Sequence, residues 1–353
     1  MLLSISLHFL VIAFIILLGV VFLLILAVLV YGLLQYRRQV SIQSWTAAID
    51  SEIADAIVNS GDVARHSKIS DATHKSGFRR VFLEKLVSAE KKFSGGAGHV
   101  IRSLFEVYGL EKESLCKLKK KRPYMIAGGI QELTAMKVEK ALPAISQLLQ
   151  HESPQVYQEA QYSVVRFEGF DGLTFLNDAQ GILSEWQQLR LLNSIPAVPQ
   201  DADSKIRQWL QSENSSVIIF VLRLIRKYQL LNMYTDVLQL LSHRETEVRN
   251  QSVQSLQALE NSDTLRHLET SYDLQPEPVR IEIMKAVIKM GDRRAAEFYT
   301  EKLLSSASAG VKILAAQGLC DLGMTEQLIS MSSQADISAE LSSIIKHALQ
   351  EKI

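Results

Sequence analysis

Between Met125 and Leu322, apolar residues recur on a template of about 31 residues, and no other feature of the chain limits its fold as much. Val248, in the stretch HRETEVRNQSVQSLQALE, is followed by Val253, Leu256 and Leu259 at +5, +8 and +11. Those steps share one face of a helix with 3.6 residues per turn. The same pattern follows Val279 (Met284, Val287, Met290), Val311 (Ala316, Leu319, Leu322) and Val217 (Leu222, Ile225, Tyr228). It also follows Met125 (Ile130, Leu133, Met136) and, with Gln161 breaking +5, Val156 (Val164, Phe167). The gap between Val156 and Val217 is two periods, so an anchor falls at 187. Gln187 is a poor one, yet Leu192, Ile195 and Val198 stand where the template puts them.

The anchors 125, 156, 187, 217, 248, 279 and 311 lie 31, 31, 30, 31, 31 and 32 apart, and +8 and +11 are apolar in all seven. Seven residues before them stand Leu118, Leu149, Gln180, Leu210, Leu241, Tyr272 and Leu304, six of them apolar. These predict a preceding helix, set off by breaks such as HESP at 151–154 and QPEP at 275–278. A helix–turn–helix of this size cannot bury its apolar face alone and must stack on its neighbours. The expected fold is all-α, an α-solenoid behind a single N-terminal transmembrane helix. The expected division is 1–38 anchor, 39–110 helical linker and N-terminal cap, 111–325 repeats, and 326–353 C-terminal cap helix.

The stretches TEVRNQSVQSLQAL, PEPVRIEIMKAVIKMG and AGVKILAAQGLCDLG resemble HEAT repeats of the short bacterial type. The resemblance rests on the pairs Val248-Arg249, Val279-Arg280 and Val311-Lys312 opening the second helix, and on Gly291 and Gly323 at its end. It implies that Arg249, Arg280 and Lys312 belong to a ladder of charged pairs between repeats. The acidic residue of such repeats drifts here (Glu245, Glu247, Glu277), and Val156, Gln187 and Val217 lack the following base. The whole layout resembles membrane-anchored bacterial HEAT-repeat proteins. That resemblance implies an accessory role beside a membrane glycosyltransferase or in polysaccharide export.

From Phe9 to Leu34 the chain runs 26 residues without a charge. As a helix this is about 39 Å, against about 30 Å of bilayer hydrocarbon. Tyr36, Arg37 and Arg38 come directly after it, an interfacial anchor. A cleaved signal peptide wants a basic n-region, a shorter apolar run and a small-x-small site. Neither MLLSISLH nor the apolar run after it supplies any of these. Nothing basic precedes the span and two arginines succeed it, so the positive-inside rule places the N-terminus outside and the repeats in the cytoplasm of a single-pass protein.

The net charge of zero hides a gradient: +2 over 1–40, +5 over 41–122 (15 basic, 10 acidic) and −7 over 123–353 (21 basic, 28 acidic). Acidic repeats speak against nucleic acid as partner. Lys117, Lys119, Lys120, Lys121 and Arg122 form the sharpest basic cluster; with Arg37 and Arg38 they are candidate contacts to a membrane surface or partner, weighed against a plain solvated face. Ser94-Gly95-Gly96-Ala97-Gly98-His99 lacks the lysine and the strand of a phosphate loop and reads as an interhelical turn, as does Ser60-Gly61-Asp62. Cys116 and Cys320 are expected as buried structural thiols, and Trp186 and Trp209 as core or interhelix residues. Scattered histidines and the lack of nucleophile, dinucleotide or metal motifs leave no catalytic residue, cofactor site or metal site to name. The expectation is a non-enzymatic, membrane-tethered scaffold that meets the bilayer through residues 9–34 and binds a membrane-associated protein. The alternatives weighed are a HEAT-like lyase or base glycosylase, and an anionic-lipid sensor.

Overall fold

A computed structural model describes residues 2–58, 69–93, 95–333 and 337–350. The described residues are all-helical, with no strand, and form two compact units divided between Ser163 and Val164. The break at Ser60-Gly61-Asp62 lies outside the described residues.

The first unit opens with α1 (Leu2–Val58), a single helix of 57 residues, about 85 Å long at 1.5 Å per residue. Residues 9–40 are exposed throughout, including every leucine, isoleucine and phenylalanine of the apolar run. The helix then gains a buried face: Ile49, Ile53 and Ala56 recur at the spacing that places them together. That face meets α2 (Ser76–Glu90) and α3 (Gly96–Val107). Trp45 stacks edge-on against Phe78, whose ring also meets Phe82. The Tyr108 hydroxyl donates to Glu52, and Lys85 pairs with Asp50 at 2.9 Å. After α3 come α4 (Glu111–Leu118), α5 (Pro123–Ala135), α6 (Leu142–Ser146) and α7 (Pro154–Glu168), the last containing the division. Arg79 ties the α3–α4 corner to α2: it pairs with Glu113 at 2.7 Å and donates to the carbonyls of Tyr108 and Gly109.

The second unit continues with α8 (Glu185–Ser194), α9 (Asp203–Leu210), α10 (Ser215–Tyr228), α11 (Tyr234–Gln239), α12 (Thr246–Ala258), α13 (Thr264–Tyr272), α14 (Glu277–Met290), α15 (Ala296–Ser305), α16 (Ala309–Asp321), α17 (Thr325–Ser332) and α18 (Ala339–Gln350). The repeat is visible in the helix starts. α5, α7, α8, α10, α12, α14 and α16 begin at 123, 154, 185, 215, 246, 277 and 309, intervals of 31, 31, 30, 31, 31 and 32. From α10 onward each second helix packs on the next, α10 to α12 to α14 to α16 to α18, and α9, α11, α13, α15 and α17 each pack against members of that layer. One apolar core runs through the unit, from Val165 to Ala348.

Two departures from the template have local causes. The third repeat lacks an α-helical first member: residues Gly169–Asp178 form a 3-10 stretch. Gly172 lies so close to the backbone of Val164 and Val165 that an added Cβ would sit 2.8 Å away. In the last repeat the 32-residue interval shifts the first helix by one residue, so Leu303 is fully buried and Leu304 is 58% exposed. Gly291 ends α14 in the left-handed region (φ 63°), which costs a residue without Cβ little.

Candidate functional site

The second-helix layer of the second unit carries a chain of side-chain hydrogen bonds across three repeats. From α10, Arg226 donates through one Nη to Gln254 Oε1 (2.6 Å) and through the other to Gln251 Oε1 (3.0 Å), both on α12. Gln254 Nε2 then donates to Glu282 Oε1 on α14 at 2.7 Å. Arg226, Gln254 and Glu282, with Lys285 and Lys289, line a depression of about 400 Å³. Burial, followed by the nearby Arg223, lowers the pKa of the Arg226 guanidinium. The chain replaces direct ion pairs with amides at positions that periodicity alone marks only as polar.

At the near end of the layer α8 follows the 3-10 stretch, and apolar side chains stand exposed on it and just before it. Trp186 is 69% exposed, and Ile182 and Leu189 are exposed with it. Arg223 reaches from α10 to Glu185 at 3.3 Å. Trp209, by contrast, is buried against Phe170 and donates its indole N–H to Asn177 Oδ1 at 2.7 Å. The core expectation thus holds for Trp209 and is corrected for Trp186. Cys116 is corrected likewise: it is exposed, whereas Cys320 is buried.

The turns before the second helices share a device. Five residues before an anchor, His151 Nδ1, Ser212 Oγ, His243 Nδ1 and Ser306 Oγ each accept the backbone N–H two residues on. Leu274 holds the equivalent place and is 83% exposed; the residue two on is Pro276, which has no N–H to be accepted. Burial leads the causes that lower the pKa of His243, with Arg244 and Arg249 acting in the same sense.

Arg249 Nε donates to the carbonyl of His243, and an Nη reaches Gln275 at 3.2 Å. Arg280 donates to the carbonyls of Tyr272 (3.3 Å) and Asp273 (2.7 Å). Each thus caps carbonyls at the end of the preceding helical segment, where a cation is favoured. Lys312 pairs with Glu340 at 3.5 Å. Lys302, on α15, is nearly buried against the Tyr272 and Phe298 rings and bonds Asp273 and Glu301. Burial disfavours its charge, but those hydrogen bonds prevail and its pKa is raised.

In the first unit the basic cluster divides. Lys117 is half-buried and paired with Glu132, which also accepts from Ser114 at 2.9 Å. Lys119, Lys120, Lys121 and Arg122 are exposed at the α4–α5 turn, Arg122 donating to the Tyr124 hydroxyl at 3.1 Å. Arg37 and Arg38 are exposed on α1. Within the glycine-rich segment, residues 96–99 form the first turn of α3, and the space over Gly98 is taken by Glu90 and Arg102, which pair. Among the described residues no three His, Cys, Asp or Glu side chains are grouped to hold a metal ion.

No family model matches the chain. No curated protein matches it either. Among solved structures it is similar to an engineered protein, at 15% identity and a TM-score of 0.35, over 79% of this chain and 86% of that one. It is also similar to the CpcE–CpcF complex of phycocyanin lyase from Nostoc sp. PCC7120, at 12% identity and a TM-score of 0.26, over 77% and 94%.

Proposed function

We propose that the protein is a non-enzymatic scaffold of HEAT-like repeats, tethered to a membrane by α1 and presenting the second-helix layer of its second unit to a membrane-associated protein partner. The observation that carries this reading is α1 itself. Its apolar segment is wholly exposed, and the same helix continues without a break into a buried face of the folded body. An apolar surface of that size is excluded from water unless lipid or protein covers it. The positive-inside asymmetry around Arg37 and Arg38 supports a cytoplasmic side for the repeats. Tethering raises the effective concentration of any partner in the same membrane, so a modest interface suffices. The exposed Trp186 is the residue type that anchors such interfaces. The partner class that the sequence resemblance implies is a membrane glycosyltransferase or export component.

The test is a crosslinking pull-down from native membranes with the full-length chain, a chain lacking residues 1–38, and the Trp186→Glu variant. One membrane protein recovered in stoichiometric amount with the full-length chain, lost with the truncated chain and weakened by Trp186→Glu, supports the scaffold. Recovery that does not depend on residues 1–38, or of a small ligand or nucleic acid instead, overturns it.

A further inference from the structure

The continuity of α1 gives the first unit a defined height above the bilayer, and that height brings a second set of cations into play. Trp45, which touches Gly77 and Phe78 at the start of α2, lies seven residues beyond Arg38, about 10 Å further along the axis. The two helices run in the same direction, since Trp45 meets Phe78 whereas Asp50 meets Lys85. The start of α2 therefore faces the side from which α1 emerges, and the α3–α4 corner, tied to Arg79, lies at the same level.

That level is rich in exposed cations. From 69 to 80 the chain carries Lys75, Arg79 and Arg80 against Asp71, with His74 beside them. His74, Lys75, Arg80 and Lys112 are exposed and have no acidic partner among the described residues. The acids of the corner, Glu111 and Glu113, are engaged by Lys140 and Arg79.

Hydrophobic excess supplies the movement. A span of about 39 Å in about 30 Å of hydrocarbon is accommodated by tilt, up to about 40° if tilt takes all of it. Because α1 runs unbroken from the span into the folded body, the tilt is passed on to the first unit. With α2 packed about 9 Å to the side of α1, a 40° tilt towards α2 brings its start to about 2 Å above the level of Arg38. The average tilt of about 20° leaves it about 6 Å above, within a Debye length of the charged surface. A 40° tilt the other way would lift it to about 13 Å.

We propose that Lys75, Arg80 and Lys112, with His74, dock on anionic lipid headgroups and so fix the direction in which α1 tilts and the orientation of the first unit over the membrane. The proposal rests on the membrane-tethered reading, since it needs residues 9–34 in a bilayer. It does not depend on which leaflet the unit faces.

Full-length protein with Cys116→Ser and Ser76→Cys, labelled at position 76 with a small fluorophore, is placed in nanodiscs of phosphatidylcholine alone or with about a third phosphatidylglycerol. The discs contain headgroup-nitroxide lipid as quencher. Each cation near an anionic surface favours contact about fivefold, so the three together favour the docked orientation about a hundredfold, and quenching at 76 is expected to rise at least about fivefold with phosphatidylglycerol. The rise is expected to vanish at about 1 M salt, where the Debye length is about 3 Å, and in Lys75→Glu/Arg80→Glu, whose folding is checked by circular dichroism. Equal quenching in both lipids, or a rise untouched by the charge reversal, overturns the proposal. A second label, at Val20→Cys, separates the two readings: if acyl-chain nitroxides do not quench it, the membrane tether itself has failed.

Discussion

Replacing Gly318 by alanine tests how closely α15 and α16 cross. A Cβ at 318 would lie 2.7 Å from Tyr299 Cζ and 2.8 Å from both Cε atoms. The ring cannot simply retreat: Tyr299 is 1% exposed and packs beside Phe298, with ring centroids 6.2 Å apart. Overpacking of this kind costs about 1–3 kcal/mol, while Gly→Ala inside a helix returns up to about 1 kcal/mol. The expected net loss is about 1–2 kcal/mol. Gly128, within α5, is the internal reference, because a Cβ there meets nothing within 4 Å. Gly128→Ala is expected to stabilise by about 0.5–1 kcal/mol. Urea unfolding of both variants gives the difference, and exchange protection of peptides from α16 shows where the loss falls. In a Tyr299→Leu background, Gly318→Ala is expected to cost nothing further, a coupling of about 1–2 kcal/mol. If Gly318→Ala stabilises as Gly128→Ala does, the α15–α16 contact is wrongly described.

Truncating Arg226 to alanine leaves the buried Gln251 Oε1 without its donor, and a loss of about 1–3 kcal/mol is expected in thermal or urea unfolding. Arg226→Lys is expected to recover only part of it, since one ammonium cannot span both glutamines as the guanidinium fork does. Leu274→Ser is expected to change stability by no more than about 0.5 kcal/mol, because Pro276, two residues on, has no N–H to give a serine, unlike the donors that Ser212 and Ser306 meet; a larger gain would refute the common turn. Burial lowers the pKa of folded His243 below 6.5, so its contribution to stability is present above pH 6.5 and is lost as pH falls through the folded value. His243→Ser keeps an acceptor in the turn and is expected to flatten the decline in melting temperature between about pH 7 and 5.

The repeat was legible because its signal is a period. The second helices start at the intervals that the apolar anchors define, and even Gln187, a poor anchor by type, is buried. What a single chain's pattern does not carry is which neighbour covers a residue. Trp186 fits a helical face, but it stands one residue before its anchor, where Glu247 and Pro278 are exposed in other repeats too, so its aromatic character misled where its register did not. Leu304 satisfied the template by position, whereas the extra residue in the last interval hands its place to Leu303. In the candidate surface, Arg249, Arg280 and Lys312 stood out as bases after valine. Arg226, Gln251 and Gln254 did not, because glutamines on a helix read as solvated until two other helices bring them a donor and an acceptor.

The amide at the centre of that chain has a direction. Gln254 accepts from α10 through its oxygen and donates to α14 through its nitrogen, so turning the amide over would face donor to donor and acceptor to acceptor. Successive repeats are thereby keyed as plug and socket. The opposite charges of Arg226 and Glu282 are kept apart by a neutral group, so dissolved ions have little direct pairing to screen. A stack joined this way should keep its register in brine as well as in dilute buffer, and lose it only when the amide itself is removed.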